Sequence, residues 1–93
     1  MKILAVCGTG LGSSFMVEMN IKSVLKELNA EGIEVEHSDL GAAVPGAADF
    51  FIAGRDIAMG MKHLDNVIEL NNLLDKKELK EKIEKALQEK GML

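Results

Sequence analysis

The sequence predicts an α/β sandwich with a mostly parallel sheet, and three observations carry that prediction. Uninterrupted apolar runs recur at Ile3-Leu4-Ala5-Val6 and Phe50-Phe51-Ile52-Ala53, as in strands buried on both faces. Stretches with helical periodicity lie between such runs. The loops that join them are short, so strand and helix alternate along the chain.

The elements follow in order. After the first strand, Cys7-Gly8-Thr9-Gly10-Leu11-Gly12-Ser13-Ser14 places three glycines in alternation, which frees the backbone, and then a serine suited to cap a helix. From Phe15 to about Ala30, Val17, Ile21, Val24 and Leu28 repeat at spacings of four, three and four, the stripe of a helix, with Gly32 as its stop. Ile33, Val35 and His37 then alternate with Glu34, Glu36 and Ser38, a half-buried strand near a sheet edge. Gly41 to Gly46, holding the sole proline, Pro45, reads as a loop or broken helical turn. Asp49 to Gly54 is the next strand, Arg55 to about Met61 a short helix, and Asn66 to Leu70 a fourth strand. Asp75 and Glu78 resemble a capping box opening a last helix, whose buried stripe is Leu79, Ile83 and Leu87 and whose terminator is Gly91.

Composition narrows the function. The 93 residues form a single domain, 1–93, able to bury roughly 60–70 % of its unfolded surface. A net charge of −4 argues against nucleic acid, which needs clustered cations, and the lysines near the C-terminus alternate with glutamates. One cysteine forbids an internal disulfide and suits a reducing compartment. The apolar start ends at Cys7-Gly8, too short for a signal core or a membrane span, so a cytoplasmic protein without direct membrane insertion is expected. His37 and His63 stand alone, without a second ligand at metal spacing, so no metal or cofactor is expected.

The loop at Cys7 leaves the carboxyl end of the first strand, where parallel sheets bind ligands. A nucleotide-triphosphate loop needs a lysine, and none occurs between Lys2 and Lys22. The dinucleotide pattern Gly-x-Gly-x-x-Gly fits Gly8 and Gly10 but meets Ser13 at its third glycine, and it gives Cys7 no task. A third reading makes the cysteine the point. Backbone amides converging on a helix N-terminus bind a dianion and lower a thiol pKa, so a phosphate on Cys7 sulfur would be held by Gly8, Thr9, Gly10, Leu11, Gly12, Ser13 and Ser14. Low-molecular-weight tyrosine phosphatases share that layout but require arginine six residues after the cysteine, and Ser13 stands there. Without the clamp, hydrolysis should be slow, which suits a carrier. A phosphatase-like or arsenate-handling thiol protein and a dinucleotide-binding module remain the alternatives, although a redox thiol ordinarily needs a resolving cysteine.

The run from Lys2 to Ser14, and the later Ala48-Asp49-Phe50-Phe51-Ile52-Ala53-Gly54-Arg55-Asp56-Ile57-Ala58, resembles the ascorbate-class IIB component of the bacterial phosphoenolpyruvate-dependent sugar phosphotransferase system. The resemblance implies a three-layer sandwich with a four-stranded parallel sheet in the order 2-1-3-4, like that of the low-molecular-weight phosphatases. It also implies a phosphotransferase role. A IIA partner would pass phosphate from a histidine to Cys7, which would pass it to a sugar, L-ascorbate, presented by a membrane IIC component.

Two further features lie near the loop. Phe15 and Met19 are one turn apart, on the side of the helix away from its buried stripe, and form a candidate docking patch. Arg55, the sole arginine, is a candidate contact for the phosphate or for a partner's carboxylates. Asp39 is read as a loop or helix cap rather than a general acid, and the charges from Lys76 to Lys90 as a solvated helix face.

Overall fold

The computed structural model describes residues 1–6, 13–72 and 75–91, with only the backbone at 13–15 and 40. Strand β1 is Lys2–Val6, helix α1 Ser13–Glu27, and β2 Glu34–Ser38. A 3₁₀ turn at Leu40–Ala42 leads to β3, Phe50–Gly54. Helix α2, Arg55–Ala58, tightens into a 3₁₀ turn at Met59–Met61 before β4, Val67–Leu70, and α3, Lys76–Glu89. The four strands form one parallel sheet in the order β2-β1-β3-β4, as expected.

The apolar runs are explained by burial on two faces. Ile3, Ala5, Phe50 and Ile52 pack with Val17, Ile21, Val24 and Leu25 of α1 and Leu79, Ile83 and Leu87 of α3. The alternate residues Leu4, Val6, Phe51 and Ala53 pack on the opposite side with Ala43, Met61 and Leu64. Successive strand residues point to opposite faces, so a strand covered on both sides must be apolar throughout. β2 is an edge strand, and there only Val35 is buried. The alternation was a correct signal of an edge.

Two local details differ from the sequence expectation. α1 ends at Glu27 rather than about Ala30, because Asn29 takes a left-handed φ of 56°. The Ala30 amide donates to the Leu25 carbonyl at 2.9 Å and the Asn29 amide to Lys26 at 3.2 Å. These are the paired bonds of a Schellman ending, with Asn29 in the place glycine usually fills. Gly32, also at positive φ, turns the chain afterwards.

The second difference concerns Glu78. Asp75 caps α3 as predicted, its Oδ1 accepting from the Lys77 amide at 3.0 Å and the Glu78 amide at 3.2 Å. Glu78, however, does not complete a capping box. Its carboxylate accepts from the amides of Asn71 at 2.9 Å and Asn72 at 3.0 Å and pairs with Lys82 at 2.9 Å. It therefore ties the exit of β4 to the start of α3. These bonds, led by the Asn71 amide and then Lys82, pull its pKa down to about 2.

Candidate functional site

All four strands run the same way, so Val6, Ser38, Gly54 and Leu70 end along one edge of the sheet. From β1 the chain crosses to β2 on one side, then returns past β1 to β3 on the other. The topological switch thus lies between the ends of β1 and β3, the position where open parallel sheets carry their ligands. The Cys7 to Gly12 stretch leaves Val6 at that point and reaches Ser13, the first residue of α1. The predicted site residues Cys7, Gly8, Thr9, Gly10, Leu11 and Gly12 lie outside the described residues, as do the side chains of Ser13, Ser14 and Phe15.

What surrounds the switch point is described. α1 carries no acidic residue in its first turn. Its N-terminal dipole is therefore not opposed by a carboxylate of its own turn, which suits an external anion. Arg55 begins α2 just past the end of β3, is exposed, and has no ion pair among the described residues. The surface pair that would have occupied it is absent from that set. Met19 is 55 % exposed, and so is its neighbour Met16, at 51 %, which the sequence analysis did not single out. Lys22 and Lys26 continue along the exposed side of the helix.

These features are brought together on a scaffold whose sequence matches a known family. The family model described as "PTS system, Lactose/Cellobiose specific IIB subunit" matches residues 2–85. The chain belongs to that family. As a IIB protein it is a sugar phosphotransfer component of the phosphotransferase system, with a phosphotransferase role. The chain is also 26 % identical over 89 residues to a protein of Mycoplasma pneumoniae named the ascorbate-specific PTS system EIIB component, with 91 % of this chain and 93 % of that protein covered. No helix among the described residues of this IIB chain is long and apolar enough to cross a membrane.

The remaining titratable residues near this edge take structural partners. The His63 ring donates from Nε2 to the Ala43 carbonyl at 3.1 Å, pinning the segment before β4 to the loop before β3. Asp39 opens the 3₁₀ turn, its carbonyl accepting from the Ser38 hydroxyl at 3.1 Å and from the Ala42 amide at 3.3 Å. The lysines of α3 are less uniformly solvated than expected: Lys76 reaches Glu27 of α1 at 2.8 Å, and Lys80 reaches it at 3.5 Å.

One polar residue near the site was missed altogether. Glu18 of α1 is buried, and its carboxylate accepts from His37 Nδ1 at 2.9 Å and lies 3.4 Å from Lys22 Nζ. The His37 bond lowers its pKa, burial opposes that, and the Lys22 charge adds to the lowering. The available signal was Glu18 and Lys22 at a four-residue spacing, but nothing local reveals that a histidine 19 residues on completes the cluster.

Proposed function

We propose that Cys7 carries the phosphoryl group of this IIB domain, and that residues 1–93 act as one cytoplasmic unit between two partners. A IIA protein donates from a phosphohistidine. The Cys7 thiolate attacks phosphorus, the N–P bond breaks and an S–P bond forms. A hydroxyl of the sugar, presented by the membrane IIC component, then takes the phosphoryl group as the S–P bond breaks. The sole cysteine of the chain directly follows Val6, the last residue of β1, one of the two inner strands, and this single observation carries the assignment. The amides from Gly8 to Ser14 and the start of α1 would hold the dianion, as in other helix N-terminal phosphate sites.

Arg55 flanks the same edge and has no competing ion pair among the described residues, which supports a contact with the phosphoryl group or with a carboxylate of the donor. Phe15 and Met19, with exposed Met16, are assigned to partner docking, where flexible thioethers can adapt to both a IIA and a IIC surface. L-ascorbate is the proposed sugar, supported by the near full-length likeness to an ascorbate-specific relative.

The test is intact mass after a phosphoenolpyruvate-driven relay, with the adduct mapped to a residue. Wild type should gain one phosphoryl group, on Cys7, and Cys7→Ser should gain none while keeping its fold, since a hydroxyl is nearly isosteric but far less nucleophilic. Phosphate on His37 or His63 would overturn the assignment. Transfer onward to ascorbate, but not to lactose or cellobiose, in membranes containing the matching IIC component checks the sugar.

A further inference from the structure

A sheet edge without a neighbour is a row of unpaired backbone groups, open to another strand. The order β2-β1-β3-β4 leaves two such edges. On β2, exposed Glu34 and Glu36 flank buried Val35, so two copies meeting there would set carboxylate against carboxylate. β4 is built differently. Its Val67 and Ile68 are half-buried, and no described residue pairs with the outer side of the strand.

The register fixes which backbone groups of β4 face outward. Phe51 donates its amide to the Asn66 carbonyl at 2.8 Å, and alternate residues of a strand face the same neighbour. Asn66, Ile68 and Leu70 therefore bond toward β3, while Val67 and Glu69 turn their amides and carbonyls outward. Lys82 of α3 agrees with this, since its ammonium donates to the Glu69 carbonyl. Beside the edge lies a groove of about 370 Å³, lined by apolar Val67, Ile68 and Ala86 and by the charges of Lys82, Lys85 and Glu89.

The groove has the symmetry of a self-complementary surface. Glu78 meets the exit of β4 and Lys82 meets Glu69, so α3 runs back along the strand. The midpoint between Lys85 and Ala86 lies about 5 Å along α3 from Lys82. Ile68 lies about 5 Å along β4 from the Glu69 carbonyl that Lys82 holds. A single two-fold axis normal to the sheet can therefore serve both elements. It brings the outward groups of Val67 in one copy to those of Glu69 in the other, as an antiparallel ladder with Ile68 against Ile68 at its centre. It also sets Lys82 of each copy opposite Glu89 of the other. We propose that the β4 edge, with the side of α3 above it, is a self-association surface whose occupant is a second copy of this chain. Two four-stranded sheets then join into one. The charges select that occupant, because the pattern that opposes itself on β2 complements itself here. The carboxyl ends of the strands stay uncovered, and the inference does not depend on which residue carries phosphate.

The experiment is sedimentation equilibrium of the full chain from about 10 μM to about 1 mM, the affinity range of a small interface. The average mass of wild type should rise from one chain toward two across that series. Val67→Pro removes an outward amide at the first residue of an edge strand, where proline costs no bond to β3, so it should keep its fold and associate at least tenfold more weakly. Glu89→Lys sets lysine against Lys82 and should weaken association roughly threefold to tenfold. Geometry is checked in a Cys7→Ser background, where Ile68→Cys should oxidise to a disulfide-linked dimer. Facing residues that do not bond across an antiparallel pair lie about 4.5 Å apart between Cα atoms, within disulfide reach. A wild type that keeps the mass of one chain throughout overturns the inference, even if another protein binds the same edge. So does a dimer that Val67→Pro and Glu89→Lys leave unweakened and that gives no disulfide through residue 68.

Discussion

The two long helices start near the same edge of the sheet, yet their first turns are built oppositely. α3 fills its own N-terminus: the Asp75 carboxylate accepts from two of its amides, and Glu78 adds a second negative group in the first turn. α1 has no acidic residue in its first turn, and the cysteine loop precedes it. A helix start concentrates partial positive charge, and something must meet it. In α3 the sequence supplies the anion permanently. In α1 no carboxylate of the first turn supplies it, and the phosphate proposed on Cys7 would. One end is a structural joint and the other is suited to a transferable dianion.

The sharpest way to break this contrast is to give α1 what α3 has. Ser14→Glu places a carboxylate in the first turn of α1 and should stabilise the helix by about 0.3–1 kcal/mol. The same change should lower phosphate acceptance by roughly tenfold, the equivalent of about 1.4 kcal/mol of like-charge repulsion. Thermal unfolding and initial phosphorylation rates report the two effects, and a variant that gains stability without losing acceptance would break the contrast. The reciprocal change is Asp75→Ala. It removes the cap of α3 and should cost about 1 kcal/mol in urea denaturation while leaving phosphorylation unaltered.

Acid titration sharpens the same point. The Glu78 carboxyl is held at about 2, below its ordinary value of 4.5. A carboxylate with a depressed folded-state pKa contributes stability that is fully present above the unfolded value and fades as pH falls toward the folded one. Wild type should therefore lose stability between about pH 5 and pH 2 more steeply than Glu78→Gln, because the amide of the variant does not titrate in that range. Parallel slopes would show that the bonds to Asn71 and Asn72 do not persist in solution.

The smallest effect on stability is expected at Met19, on the exposed side of α1. Met19→Lys should shift stability by no more than about 0.5 kcal/mol, as exposed helix positions tolerate lysine. Transfer from the IIA donor should nevertheless slow, since a strongly hydrated ammonium would enter an interface that must exclude water. Unchanged transfer rates would remove this end of α1 from the docking surface.

Much of this was legible in the chain itself. Ile3-Leu4-Ala5-Val6 reads as a strand covered twice, and Val17, Ile21 and Val24 as an inward stripe, because burial imposes periods of two and 3.6 on side-chain polarity. The cysteine with its alternating glycines marked the candidate site, and the acid-free opening of α1 was readable once the helix was placed. Other features depended on which elements meet. Glu18 looks like a solvated helix residue until β2 brings His37 beneath it. Glu78 looks like half of a capping box until the turn after β4 presents two amides closer to hand. Glu27 gains Lys76 and Lys80 only because α3 folds back along α1. Polarity patterns follow from local geometry and so are written along the chain. The partner of a charged group is chosen by long-range packing, and the same carboxylate serves whichever donor the fold delivers.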